Sequence, residues 1–222
     1  MIKALRSFFN KETLLEQAIQ DTHAMLSNVH VMVESAVKSL RHSDTAELDI
    51  DVAAMDAAVN TYEEGVRRKV FTHLSVMGSD HIYPALVLIS IIIDVERIGD
   101  YAKNIVVLAG RHPGRLSVPR HDAELTRIET ALIERVMPEG RRNFEEGNEQ
   151  AAAELIREHR WIGRSCEDIT QQLSSEVHEG DSRTLVCTAL YARYLKRVTS
   201  HWLNVQTAVA NPFDRIGVKK DI

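Results

Sequence analysis

The residues best equipped for chemistry lie in one stretch, IDVERIGDYAKNI, from Ile93 to Ile105. Glu96 and Asp100 are four apart, so on a helix they stand one turn apart on the same face, and Asn104 continues the stripe. Like charges at that spacing repel by roughly a few tenths of a kcal/mol unless something positive sits nearby. Arg97 and Lys103 flank the stripe and could supply that charge; so could a metal ion. A second segment, MDAAVNTYEE, carries Asp56, Asn60 and Glu63. In an antiparallel hairpin turning near Gly78, Asp56 would stand level with Asp100 and Asn60 with Glu96, with Glu63 one turn along from Asn60. Such an all-oxygen cluster suits Mg²⁺, Mn²⁺ or iron and is a poor fit for structural zinc. The plainer reading is a solvated face. In a chain that is 27% charged, paired carboxylates on helix surfaces are common, and spacing alone favours that reading.

The elements that must position these residues are helices. Gly and Pro punctuate turns, and the 222 residues hold only 10 and 5 of them, with no Pro before Pro84. Apolar residues recur at three- and four-residue spacing, predicting helix 1 over 11–42, helix 2 over 45–77 and helix 3 over 81–109. Ser43-Asp44 is expected to cap helix 2, and Gly78-Ser79-Asp80 to separate helices 2 and 3. The window from Ala85 to Ile93 could pass for a buried strand, but Asp94 to Leu108 continues it without a turn signal. A helix apolar on nearly all sides is expected at the centre of a bundle. The segment GRHPGRLSVP, Gly110 to Pro119, is the one obvious linker. After it come helix 4 over 121–146, kinked near Pro138, helix 5 over 150–177 and helix 6 over 182–210, then a tail over 211–222.

The pattern repeats. Arg97 precedes Asn104-Ile105 by seven residues, and Arg197 precedes Asn204-Val205 by seven, an offset of 100 positions. The expected architecture is therefore all-α, a tandem duplication of an antiparallel three-helix bundle, with repeats over 11–110 and 119–210.

Other classes are disfavoured. The net charge is −5 and no basic-aromatic stripe stands out, so no nucleic acid is expected as a partner. Cys166 and Cys187 show neither metal spacing nor a disulfide framework and are expected as core fillers in a reducing compartment. The start, MIKALRSFFNK, has too short an apolar run for a signal peptide, and the window ending at Asp94 falls short of the roughly 20 residues a spanning helix needs. A soluble chain is expected. His159, His178 and His201 contain no i, i+4 pair, and no Glu-x-x-His occurs, which weakens a di-iron reading. Trp161 and Trp202 are spaced as core residues. No phosphate loop or nucleophile elbow is visible, so no enzyme activity is expected.

DVERIGDYAKNI resembles the PhoU signature, a (D/E)-x-E-R-I-G-D-x-A-x-N-I stretch on the third helix of each of two three-helix bundles. MDAAVNTYE on helix 2 is similar to that family's D-x-x-V-N-x-x-E, and EGDSRTLVCTALYARYL matches its second copy. In several members the E-x-x-x-D pairs bind metal. The resemblance thus implies Glu96 and Asp100 as first candidate ligands, with Asp56, Asn60 and Glu63 next, for Mg, Mn or Fe. The second copy departs from the pattern, with Lys196-Arg197-Val198-Thr199-Ser200 where the family has Glu-Arg-Ile-Gly-Asp. On helix 5 the counterparts of Asp56 and Asn60 are His159 and Gly163. Metal binding is therefore expected in the first bundle only. The resemblance further implies a regulatory adaptor of phosphate transport and phosphate-responsive signalling, cytoplasmic and peripheral to the inner membrane through its partners. Those partners would be a membrane phosphate transporter (an ABC-type subunit or a sodium-phosphate cotransporter) and a sensor histidine kinase. A homodimer is expected. The alternative is a metal-binding or metal-storage helical protein with no transporter partner.

Overall fold

A computed structural model describes residues 13–112, 114–175, 181–211 and 213–218, with Ser79 and Asp80 described for the backbone alone. The expected helix start at Lys11, the helix end at Val177, His178, the Glu179-Gly180 turn and part of the 211–222 tail lie outside the described residues. Among the described residues there is no strand.

Helix α1 (Leu14–His42) opens on a capping box: the Glu16 N–H donates to Thr13 Oγ1, and Glu16 accepts from the Thr13 N–H. Helix α2 (Val52–Met77) starts seven residues later than expected. Its cap is Asp51, whose Oδ1 accepts from the Ala54 N–H at 2.9 Å. The intervening segment is held off helix by Asp49, which accepts from Ser35 at 2.5 Å and pairs with Lys38 at 2.8 Å. Ala46 there adopts φ 55°, a left-handed conformation no α-helix contains. Gly78, at φ 75°, ends α2 where a side chain would be strained. A short 3₁₀ turn (Gly78–His81) then leads into α3 (Ile82–Arg111).

Helix α4 is continuous over 119–146 but changes pitch: Pro119–Ala131 is α-helical, Leu132–Val136 is π-helical, and Met137–Glu146 is α-helical again. Pro138 lacks an N–H and its ring would crowd the carbonyl four residues back. The expected kink thus takes the form of one wide turn just before the proline. Gly147, at φ 62°, caps α4, and α5 (Glu149–Ser175) and α6 (Ser182–Ala210) complete the second bundle.

The helices α1 to α3 pack on one another, as do α4 to α6, and the broadest contact between the two sets joins α3 to α6. Both bundles share one continuous apolar core. In it lie Ile91, Ile92, Ile98 and Ile105 from α3 and Leu195, Val198 and Trp202 from α6. Each such side chain contributes about 1.5–3 kcal/mol by leaving water. Trp202 is fully buried against Gly140, where an added Cβ would sit 2.3 Å from the indole nitrogen. Trp161 is only half-buried; its ring lies 3.8 Å beneath the Arg127 guanidinium. Trp161 packs on the edge of the core, as its spacing predicts, and the cation–π pair covers its ring from the other side. Both cysteines are buried and free.

Two polar features fix how the bundles meet. Arg41, buried at the end of α1, donates to Glu129 at 2.9 Å and Asp122 at 2.9 Å on α4, and to the Leu116 carbonyl of the linker. The Tyr191 hydroxyl on α6 donates to the same Glu129 oxygen at 2.8 Å. A buried arginine is tolerated because its donors are met by carboxylates and a carbonyl. Along the α3–α6 seam, Asp94 lies 2.6 Å from His201 and accepts from Asn204 at 3.2 Å. Tyr101 packs against both Tyr194 and His201, with ring centroids 5.8 Å apart in each case. Asp94 and Tyr194, like Tyr101 and His201, occupy equivalent positions, so the antiparallel seam uses the same sites on both helices.

Candidate functional site

Helices α2 and α3 form the expected hairpin, and it brings the five candidate residues to one groove. Val59, Val66 and Val70 of α2 and Ile92, Val95 and Gly99 of α3 are buried, which turns the adjacent helical positions toward the rim where the two helices meet. The level residues agree with the sequence: a Cβ on Gly99 would lie 3.8 Å from Asp56 Oδ1.

Lys103, one of the two flanking cations, takes the central place. Its ammonium donates to Asp100 at 2.7 Å on its own helix and to Asp56 at 2.9 Å across the groove. Burial works to lower its pKa, but the bonds to Asp100 and Asp56 outweigh this and hold it above the ordinary lysine value. Asn60 Nδ2 reaches Asp56 at 3.5 Å, and Glu63 pairs with Arg67 at 2.6 Å one turn along. Glu96 lies half-buried beside Asp100. Burial, then the neighbouring charge and hydrogen bond of Asp100, then Glu63, raise its pKa; Lys103 offsets only part of this. The arrangement suits a proton or a further cation at Glu96.

In this structure the site a metal would occupy among these oxygens is held by the Lys103 ammonium. Among the described residues, no three of His, Cys, Asp and Glu are grouped so as to hold a metal ion. The donor set as arranged fits an ammonium, and a metal ion would have to displace it.

The second bundle carries the same frame with other chemistry. Residues 91–100 and 191–200 alternate between buried, half-buried and exposed in the same order, position for position. Lys196, at the position of Glu96, pairs with Glu167 of α5. His159, at the position of Asp56, is buried and donates from Nδ1 to the Leu155 carbonyl at 3.0 Å. Thr199, at the position of Gly99, bonds back to the Leu195 carbonyl at 2.9 Å. Of the three histidines weighed from sequence, His201 does not face this groove and belongs to the seam with Asp94.

The seam and the Arg41 network were not foreseen. Asp94, a carboxylate closing the most apolar window of the chain, was a visible signal for the first. Arg41 gave none, since its partners lie 75 to 88 residues away.

Comparison with known proteins bears on the first bundle. Residues 22–109 match the PhoU domain. Neither a search of the curated proteins nor one of the solved structures gives a match. The match lies within the first bundle, α1 to α3, and covers 88 of the 222 residues. Among the described residues no helix is long and apolar enough to cross a membrane.

Proposed function

With residues 22–109 a PhoU domain, we propose that this protein is a regulatory adaptor of phosphate transport and phosphate-responsive signalling. It docks to a membrane phosphate transporter, an ABC-type subunit or a sodium-phosphate cotransporter, or to the associated sensor kinase, and it catalyses no reaction. The domain match is the observation that carries this reading. Long helices with exposed outer faces supply the docking surface. Its place is cytoplasmic, at the inner membrane face through those partners, as a homodimer. The two bundles are read as copies of one duplicated unit. Deleting the gene should alter phosphate uptake and phosphate-responsive transcription. Unchanged behaviour in both would sink the reading.

A second reading keeps metal binding on the first bundle, and the raised pKa of Glu96 favours it: a cation among these carboxylates would relieve their mutual repulsion. A Mg, Mn or Fe ion would draw on Glu96, Asp100, Asp56 and Glu63, with Asn60 as a neutral oxygen donor, and would require Lys103 to move aside. Elemental analysis of wild type and of a Glu96→Ala/Asp100→Ala variant decides. Equal metal content in the two would remove this reading and leave the adaptor untouched.

A further inference from the structure

The acidic cluster fills only half of the groove between α2 and α3. Beyond the Glu63–Arg67 pair, the same two helix rims turn apolar toward the hairpin tip. Phe71 is 74% exposed on α2, level with exposed Leu86 on α3, and Ile82 and Ile93 are exposed on the same face of α3 as Glu96 and Asp100. Large apolar side chains aligned at three- and four-residue spacing and left in water are a recognition surface rather than scattered surface carbons. The second bundle keeps only part of this surface, an exposed Val186 at the position of Leu86. At the positions of Phe71 and Ile93 it carries Ser174 and Arg193, both exposed.

We propose that the α2–α3 groove is a docking site for an amphipathic helix of a partner protein, whose apolar stripe covers Phe71, Leu86 and Ile93 and whose Lys or Arg residues reach Glu96 and Asp100. Charge complementarity selects this occupant. Four carboxylates (Asp56, Glu63, Glu96 and Asp100) stand against three cations (Lys103, Arg67 and the flanking Arg97), so the polar half keeps a negative excess of one that a basic partner neutralises. From Ile82 to Lys103 the groove runs about 30 Å, room for a helix of about 20 residues. Binding of this kind reads as apolar anchors at i, i+3 or i+4 and i+7. The proposal rests on the adaptor reading and names the kind of segment the adaptor would grip. It makes the first bundle the docking bundle.

The test uses the full chain and a synthetic helical peptide of about 20 residues, with leucines at helical spacing through one half and lysines through the other. Fluorescence anisotropy should give saturable binding that weakens as salt rises. Exchanging the lysines for glutamates, or the leucines for serines, should abolish it. Phe71→Ser/Ile93→Arg, which installs the second bundle's residues at exposed positions, should keep the helical circular dichroism and thermal unfolding of wild type yet bind about tenfold or more weakly, the scale of a lost aromatic anchor. Glu96→Lys/Asp100→Ser should bind equally weakly and lose the salt dependence. Equal binding by wild type and both variants overturns the proposal. Sedimentation of the protein alone tests a second copy as occupant: a wild-type dimer that Phe71→Ser/Ile93→Arg makes monomeric overturns it too. So does cosedimentation with phosphatidylglycerol vesicles that this variant abolishes, which would make the apolar half a lipid contact. If the groove variants still regulate phosphate uptake as wild type does, the groove reading fails alone. If gene deletion leaves uptake and transcription unchanged, the adaptor reading fails whatever the peptide does.

Discussion

Where α3 carries Glu96, α6 carries Lys196; where α2 carries Phe71 and Asp56, α5 carries Ser174 and His159. Helices α3 and α6 bury the same positions over 91–100 and 191–200, and the seam between them joins equivalent residues, so these two helices share one frame. What differs is the rim facing solvent: acidic and apolar on the first, basic and hydroxylic on the second. On these two helices burial pattern and surface chemistry have separated, which is expected when the core is constrained by packing and the rim only by what it must touch.

The comparison holds only while the two bundles are joined, and Glu129→Ala should break that most severely. It leaves buried Arg41 with Asp122 and the Leu116 carbonyl alone and Tyr191 without an acceptor, and should cost about 2–4 kcal/mol in urea unfolding. A loss under about 1 kcal/mol, the range of an exposed pair, would mean the network does not tie the bundles. Gly140→Ala should cost about 1–3 kcal/mol, because a methyl group there must push the buried Trp202 and Gln206 aside. The indole fluorescence of the folded variant should shift with it.

Two milder substitutions sharpen the contrast between the rims. Lys103→Met removes the cation that the first rim holds between Asp56 and Asp100, and should destabilise at pH 7 by about 1 kcal/mol or less, since the site is partly solvated. The loss should fade in strong alkali, as the pH rises through the raised pKa of Lys103, and the variant should retain more Mn²⁺ than wild type on dialysis. Glu96→Gln acts in the opposite sense. A carboxyl whose pKa is raised by folding stabilises below its unfolded value and loses that contribution as pH rises through the folded one. The glutamine variant should therefore match wild type in acid and be slightly more stable at neutral pH. A neutral-pH loss instead would show that Glu96 has a cation partner in the folded protein. Lys196→Met, the same operation on the second rim, should change stability by about 0.5 kcal/mol or less and leave Mn²⁺ retention unaltered.

Much of this was legible in the residues. Helices α1 to α6, the break near Gly110 to Pro119, the α2–α3 level pairing and the asymmetry of the rims all follow from local spacing, which periodicity reports well. The cluster itself was legible as a juxtaposition, and Lys103 as one of two flanking cations; which cation sat centrally depended on side-chain reach. What escaped was long-range. The start of α2 moved because Asp49 is taken by Ser35 and Lys38 of another helix. Arg41 carries no local mark of burial. Trp161 packs on the core as its spacing predicts, but the Arg127 guanidinium over its ring left no local mark.

The wide turn at Leu132–Val136 has a consequence for how this chain can change over time. A residue lost from an α-helix rotates everything beyond it by about 100° and takes its buried side chains off the core. A π-turn already contains one residue more than an α-turn, so losing one there would tighten the coil and leave both flanks facing as they do now. Leu132–Val136 is thus a spare link in α4, a place where chain length and helix phase are uncoupled. Pro138 is what keeps the link in use, since a tightened turn would press its ring against the Glu134 carbonyl.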